Sequence, residues 1–214
     1  MKNVLCFGDS NTYGYNPHNF GRFEWHQRWT GILQKELGTD FKIIEEGYNG
    51  RTTLIEDSTN PYRNSRNYLF PILAAHAPLD LIIICLGTND TKARFNLCAA
   101  SIAKLMQEIV RMIKTFNYEN DSYKKPEILL LSPIEIGQGV VDLFDNAFDE
   151  KSVIKSKALG KLYKEIAQKM SCHFFDLSTI AKASDADYLH LDEAGHLAIG
   201  RKLCEIVKNI LGGK

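Results

Sequence analysis

No run in the sequence approaches the roughly 18 consecutive apolar residues of a membrane-spanning helix. The opening stretch MKNVLCFGDS is apolar for too few residues to be a secretory h-region, and it ends in an acid. Charge of one sign is missing: 26 Lys and Arg stand against 26 Asp and Glu, a formal net charge of zero. Such a chain has no electrostatic footprint for nucleic acid or an anionic membrane. Cysteine is sparse, with Cys6, Cys85, Cys98, Cys172 and Cys204 scattered, odd in number and without a CxxC pair. That argues against a disulfide framework and for a reducing compartment.

Several signatures are absent as well. There is no GxGxxG, and no GxxxxGK followed by Ser or Thr, so the phosphate cradles of nucleotide-binding proteins are lacking. The GxSxG elbow is missing. No His, Asp or Glu grouping has metal-ligand spacing, and no repeat, linker or low-complexity tract interrupts the chain. These absences predict a cytoplasmic protein acting on a small or uncharged molecule, with no cofactor, no metal, no nucleic acid and no membrane.

What is present suits one domain over residues 1–214, with 44% hydrophobic and 24% charged residues. Short apolar runs predict strands at Asn3–Gly8, Phe41–Glu46, Leu79–Gly87, Glu127–Ser132 and His173–Leu177. "DLIIICLG" is apolar on both faces and rich in β-branched residues, as a central parallel strand would be. Between the runs, apolar residues recur at helical spacing: Trp29, Ile32, Leu33, Leu37; Ile102, Leu105, Ile109, Met112, Phe116; Ile154, Ala158, Leu162, Ile166, Met170; and Ile199, Leu203, Ile206, Ile210, ended by Gly212-Gly213. Strands alternating with helices imply a three-layer α/β domain. Two irregular stretches, Asn11–Gln27 and Ile134–Glu150, are long enough to be functional. The second carries Val140, Val141, Leu143, Phe144 and Phe148, which could roof an apolar pocket or form a small core of their own.

Ligands of open α/β sheets bind beyond the carboxyl ends of the strands. Gly8-Asp9-Ser10-Asn11 follows the first strand, "EEGYNGRTT" the second and "GTND" the third, while "ADYLHLDEAGH" lies a short segment beyond the fifth. Ser10 is a poor nucleophile until a base takes its proton. His190 can be that base, and Asp187, three residues earlier, can fix its tautomer. The backbone amides of Ser10 and Gly50 and the side-chain amide of Asn89 are candidate oxyanion donors. Asp9, Asn11, Thr12, Tyr13 and Phe144 are candidates to touch substrate. Each block alone reads as an ordinary turn or cap. Asp90 reads as a brace for its own loop and His196 as a structural residue of the last helix. His18, His26, His76 and His173 have no partner readable in sequence.

Together the blocks resemble the GDSL, or SGNH, hydrolase family of esterases and lipases. The serine block is Gly8-Asp9-Ser10-Asn11, the glycine Gly50, the asparagine Asn89 and the histidine His190, in family order. "LCFGDS", "RWTGIL", "RTT" and "LGTNDTKA" look like its bacterial arylesterase branch, with acetyltransferase and perhydrolase activity. The resemblance implies a flavodoxin-like five-stranded parallel sheet in the order 2-1-3-4-5, short acyl ester substrates, no metal and a homo-oligomer. Asn11 stands where the family name has leucine, and "YNG" stands where the branch often has leucine-serine-alanine. Two other functions compete with a serine esterase: a carbohydrate O-deacetylase using the same triad, and a non-catalytic flavodoxin-like binding module.

Overall fold

Alternation with a period of two accounts for the layering. In the computed structural model, which describes residues 1–118, 120 and 122–212, five strands form one sheet: β1 (Lys2–Gly8), β2 (Phe41–Gly47), β3 (Leu81–Cys85), β4 (Glu127–Ser132) and β5 (His173–Asp176). All pairs are parallel and the order is β2-β1-β3-β4-β5, as the resemblance implied. Leu5, Phe7, Ile82, Ile84, Ile128 and Leu130 point to one face and are covered by α3 (Leu69–His76), α4 (Ala99–Thr115) and α5 (Glu150–Lys169). Val4, Cys6, Leu81, Ile83, Leu129 and Leu131 point to the other, under α2 (Trp29–Leu37) and α6 (Glu193–Leu211). Burial on both faces is why these strands read as continuous apolar runs. None of the helices is long and apolar enough to cross a membrane, among the described residues.

Several expectations need correction. β3 is shorter than Leu79–Gly87, because Leu86 and Gly87 have already left the sheet. α3 was not anticipated: "LFPILAAH" is apolar nearly all round, so it shows no stripe, and Pro71 is tolerated because it falls in the first turn. In α5 the stripe is out of phase. Ile154 is 66% exposed, while Val153, Ser156, Leu159, Tyr163 and Ile166 are buried. The shift has a polar cause at the helix start. Ser152 Oγ donates to Thr91 O (2.7 Å) and Ser156 Oγ accepts from Ile136 N (3.0 Å), so hydroxyls occupy the inner face there. α6 runs to Leu211; Gly213, expected to help end it, lies outside the described residues. The stretch 134–149 is a string of 3-10 turns around a small apolar cluster of Ile136, Val140, Phe148, Val153 and Leu189.

The strands end level. Gly8 pairs with both Gly47 and Cys85, so the loops after β1, β2 and β3 leave the sheet side by side. His196, wholly buried on α6, accepts the backbone N–H of Trp29 at Nδ1 (3.2 Å) and so fastens α6 to the start of α2. His76 and His173 do have partners, Glu46 (2.9 Å) and Glu127 (3.2 Å).

Candidate active site

The chain turns as soon as it leaves β1. Asp9 caps a single helical turn, α1 (Ser10–Tyr13), by accepting the N–H of Asn11 (3.0 Å), and Gly14 closes it with its N–H on Ser10 O (2.9 Å). Ser10 is the first residue of this turn, so its own N–H has no acceptor within the helix. Its hydroxyl is nearly buried yet faces a cavity.

The loop before α6 meets it. Asp187 Oδ1 accepts the backbone N–H groups of Leu189 (3.0 Å) and His190 (2.9 Å), a tight turn that Tyr188 completes in the left-handed region at φ 57°. Asp187 Oδ2 lies 2.6 Å from His190 Nδ1, and His190 Nε2 lies 2.8 Å from Ser10 Oγ. Burial alone would raise the Asp187 pKa; hydrogen bonds from the imidazole and the two amides outweigh it and hold the carboxyl below its ordinary range. The imidazole is flanked by Tyr15, ring centroids 4.3 Å apart, and by Phe144 at 6.2 Å. With Nδ1–H held by the carboxylate, Nε2 presents its lone pair to the hydroxyl, an arrangement able to draw a proton from Ser10 as its oxygen attacks.

Two more loops supply donors. Gly50 sits at φ 79°, which a side chain would strain, and an added Cβ would meet Arg63 Nε at 2.4 Å. Asn89 donates one amide hydrogen to Arg51 O (3.2 Å) and keeps a second. Arg51 binds Gly8 O (2.9 Å) and Glu46 O, tying the end of β1 to β2. Burial lowers its pKa to about 10 against the pull of Glu46 and Asp9. Asp90, expected to brace its own loop, braces the neighbouring one instead: it accepts the N–H (3.1 Å) and the hydroxyl of Thr53.

Ser10, Gly50, Asn89, His190 and Phe144 line one cavity of 310 Å³ at the carboxyl edge of the sheet. A groove of 590 Å³ between the ends of α3 and α4, lined by Phe70, Phe116, Tyr118 and Tyr123, is larger but holds no nucleophile or base. Four expected substrate contacts are not in the cavity wall. Asp9 and Thr12 are buried beneath it, the first as a cap. Tyr13 turns away under the Arg22 guanidinium, 4.0 Å from its ring centroid. Asn11 points at the histidine loop: its Oδ1 accepts Leu191 N–H (2.9 Å) and its Nδ2 donates to Leu189 O (3.4 Å). One residue of a helical turn faces the cavity, and here it is Ser10. Sequence reasoning missed Tyr15, Thr59, Arg63, Lys92 and Arg94, which do line it. Of these, Lys92 and Arg94 had a signal, since they lie two and four residues beyond "GTND". Among the described residues no group of three or more His, Cys, Asp or Glu is placed to hold a metal ion.

A family model described as the GDSL-like lipase/acylhydrolase family matches residues 6–198. Among solved structures, a carbohydrate acetylesterase family member from Sinorhizobium meliloti shares 36% identity at a TM-score of 0.93, with 100% of each chain covered. The aryl esterase of M. smegmatis shares 37% identity at a TM-score of 0.91, covering 99% of this chain and 100% of that one. A lipase/acylhydrolase from Enterococcus faecalis, 18% identical at a TM-score of 0.71 over 98% of this chain and 96% of that one, shares the fold. No match was found among curated proteins.

Proposed function

The chain belongs to the GDSL-like lipase/acylhydrolase family and is a carboxylic ester hydrolase, and from that premise we propose that it cleaves short, acetyl-like esters through an acyl-enzyme on Ser10. Ser10 Oγ attacks the ester carbonyl while His190 takes its proton. Asp187 holds the imidazole in the productive tautomer. The tetrahedral oxyanion is received by the amides of Ser10 and Gly50 and by Asn89 Nδ2, each donor worth on the order of 10²–10³ in rate. His190 returns the proton to the leaving alcohol. Water then clears the acyl group, or another nucleophile such as an alcohol or peroxide does so, which would give acyl transfer or perhydrolysis.

The observation that carries this reading is the unbroken chain Asp187–His190–Ser10, at 2.6 and 2.8 Å, opening onto a cavity. The small volume, closed on one side by Phe144 and Phe148, supports a short acyl group. Turnover of 4-nitrophenyl acetate tests it. Ser10→Ala should lower kcat by about 10⁴ or more with the thermal unfolding curve unchanged, and Asp187→Asn should cost less because the attacking atom remains. Retention of most activity by Ser10→Ala would refute the nucleophile. A second reading, O-deacetylation of carbohydrates, is favoured by the likeness to a carbohydrate acetylesterase and by the polar wall of Asn49, Thr59 and Arg63. Acetylated xylose set against an aryl acetate separates the two.

A further inference from the structure

Three cationic side chains stand in the wall of the same cavity, and the mechanism above uses none of them. Arg63, Lys92 and Arg94 line it beside Ser10, Gly50 and Asn89, and no carboxylate does. Behind the wall, buried Asp57 receives Arg63 Nη1 at 2.8 Å and Arg94 Nη2 at 2.6 Å. Burial alone would push this carboxyl up; hydrogen bonds from Thr59, Arg63 and Arg94 outweigh it and hold it well below the usual range. Asp57 is thus taken up by the two arginines and makes no hydrogen bond to Lys92 among the described residues.

Lys92 stands outside that pairing. It is only 7% exposed, and its ammonium has no hydrogen bond or ion pair among the described residues; the Phe148 ring lies 5.6 Å away. Burial lowers its pKa to about 8, with Arg63 and Arg94 pushing the same way and Asp57 and Asp9 opposing them. Arg63 Nε, lying over Gly50, is buried without a hydrogen-bond partner. Anchoring Asp57 and its loop explains the two arginines but not the lysine. A largely desolvated ammonium that Asp57 and Asp9 reach only through space gains when a ligand in the cavity supplies a direct partner.

Resting on the esterase reading above, we infer that the natural substrate carries a carboxylate, which Lys92, Arg63 and Arg94 bind while the ester carbonyl lies over Ser10. The expectation of a small or uncharged substrate came from a net charge of zero, which says nothing about how charge is distributed over the surface. The carboxylate belongs either to the acyl part, as in a half-ester of a dicarboxylic acid, or to the alcohol part, as in an acetylated hydroxy acid.

Two isosteric pairs distinguish these: 4-nitrophenyl hemisuccinate against 4-nitrophenyl levulinate, and 4-acetoxybenzoate against 4-acetoxybenzamide, each corrected for uncatalysed hydrolysis. In one pair kcat/KM should favour the anion by about tenfold or more, as close charge pairing in a partly desolvated site does. Added salt should shrink that ratio. Lys92→Met, which keeps the stem and removes the charge, should bring it towards unity, and Arg94→Gln should lower it. Preference for the neutral ester in both pairs overturns the inference while leaving the esterase reading intact, and so does a ratio unmoved by both substitutions. Should a variant fail to fold, the ratio in the unaltered protein and its response to salt still decide. If neither neutral nor charged ester is cleaved, the esterase reading falls and this inference with it.

Discussion

Asn11 binds two neighbours of the candidate base with one side chain, across about the whole length of the chain. Replacing it with leucine leaves Leu191 N–H and Leu189 O unpaired in a buried place, at a cost of about 1–3 kcal/mol. Asn11→Leu should therefore lower kcat on 4-nitrophenyl acetate by about tenfold to a hundredfold, as a small misplacement of a reacting group does, with KM little changed and a lower unfolding midpoint. A loss confined to KM would place Asn11 against substrate instead. His196 gives a second test at this scale. Burial, opposed by Asp192 and helped by Arg28, lowers its pKa to about 3. The folded state keeps it neutral while the unfolded chain protonates near 6.5, so its stabilisation is present above that pH and lost as pH falls towards 3, by about 1.4 kcal/mol per unit. Asp9 and Asp90 act in the opposite sense. Burial raises both to about 6, so what they contribute is present at acid pH and lost as pH rises through that value. The test must compare variants: between pH 6.5 and 5, His196→Gln should lose about 2 kcal/mol less in urea unfolding than the parent protein.

At the scale of elements, α5 depends on its first turn. Asp149 accepts Ser152 N–H (2.7 Å), and Ser152 Oγ accepts Asp149 N–H in return (3.1 Å). Asp149→Ala should cost about 1 kcal/mol in thermal unfolding, and because Phe148 is next in the chain it should also change the preference among acyl lengths. The elements differ in how plainly the sequence announces them. β1 and β4 are legible because burial on both faces leaves an uninterrupted apolar run, which a polar turn ends after β1 and Ser132-Pro133 ends after β4. α3 is not, since a helix of eight residues with proline inside and apolar groups all round has no period to detect. α5 is legible as a helix but not in its orientation, because hydroxyls chosen for hydrogen bonds to neighbouring loops stand where apolar residues would mark the inner face. The candidate site divides in the same way. Ser10, Gly50, Asn89 and His190 each follow a strand or close a polar block, so linear context exposes them. Arg63 and Lys92 come together only through folding of separate loops, and no spacing along the chain reveals that.

For the whole molecule, the level carboxyl edge of the sheet brings four distant loops to one cavity, while both faces are committed to packing. The candidate site residues and the packed core are thus largely separated in space. The balance of 26 cationic and 26 anionic side chains means that little long-range repulsion keeps copies apart near neutrality. Solubility, measured by ammonium sulfate precipitation across pH, should pass through a minimum near pH 7 and rise on either side; a flat profile would contradict this. The placement of Ser10 near one end and His190 near the other has a consequence for biosynthesis. On the reading proposed above, a polypeptide cut short before His190 holds the Ser10 hydroxyl without the imidazole that would activate it, so ester cleavage has to wait until the loop ahead of α6 has been made.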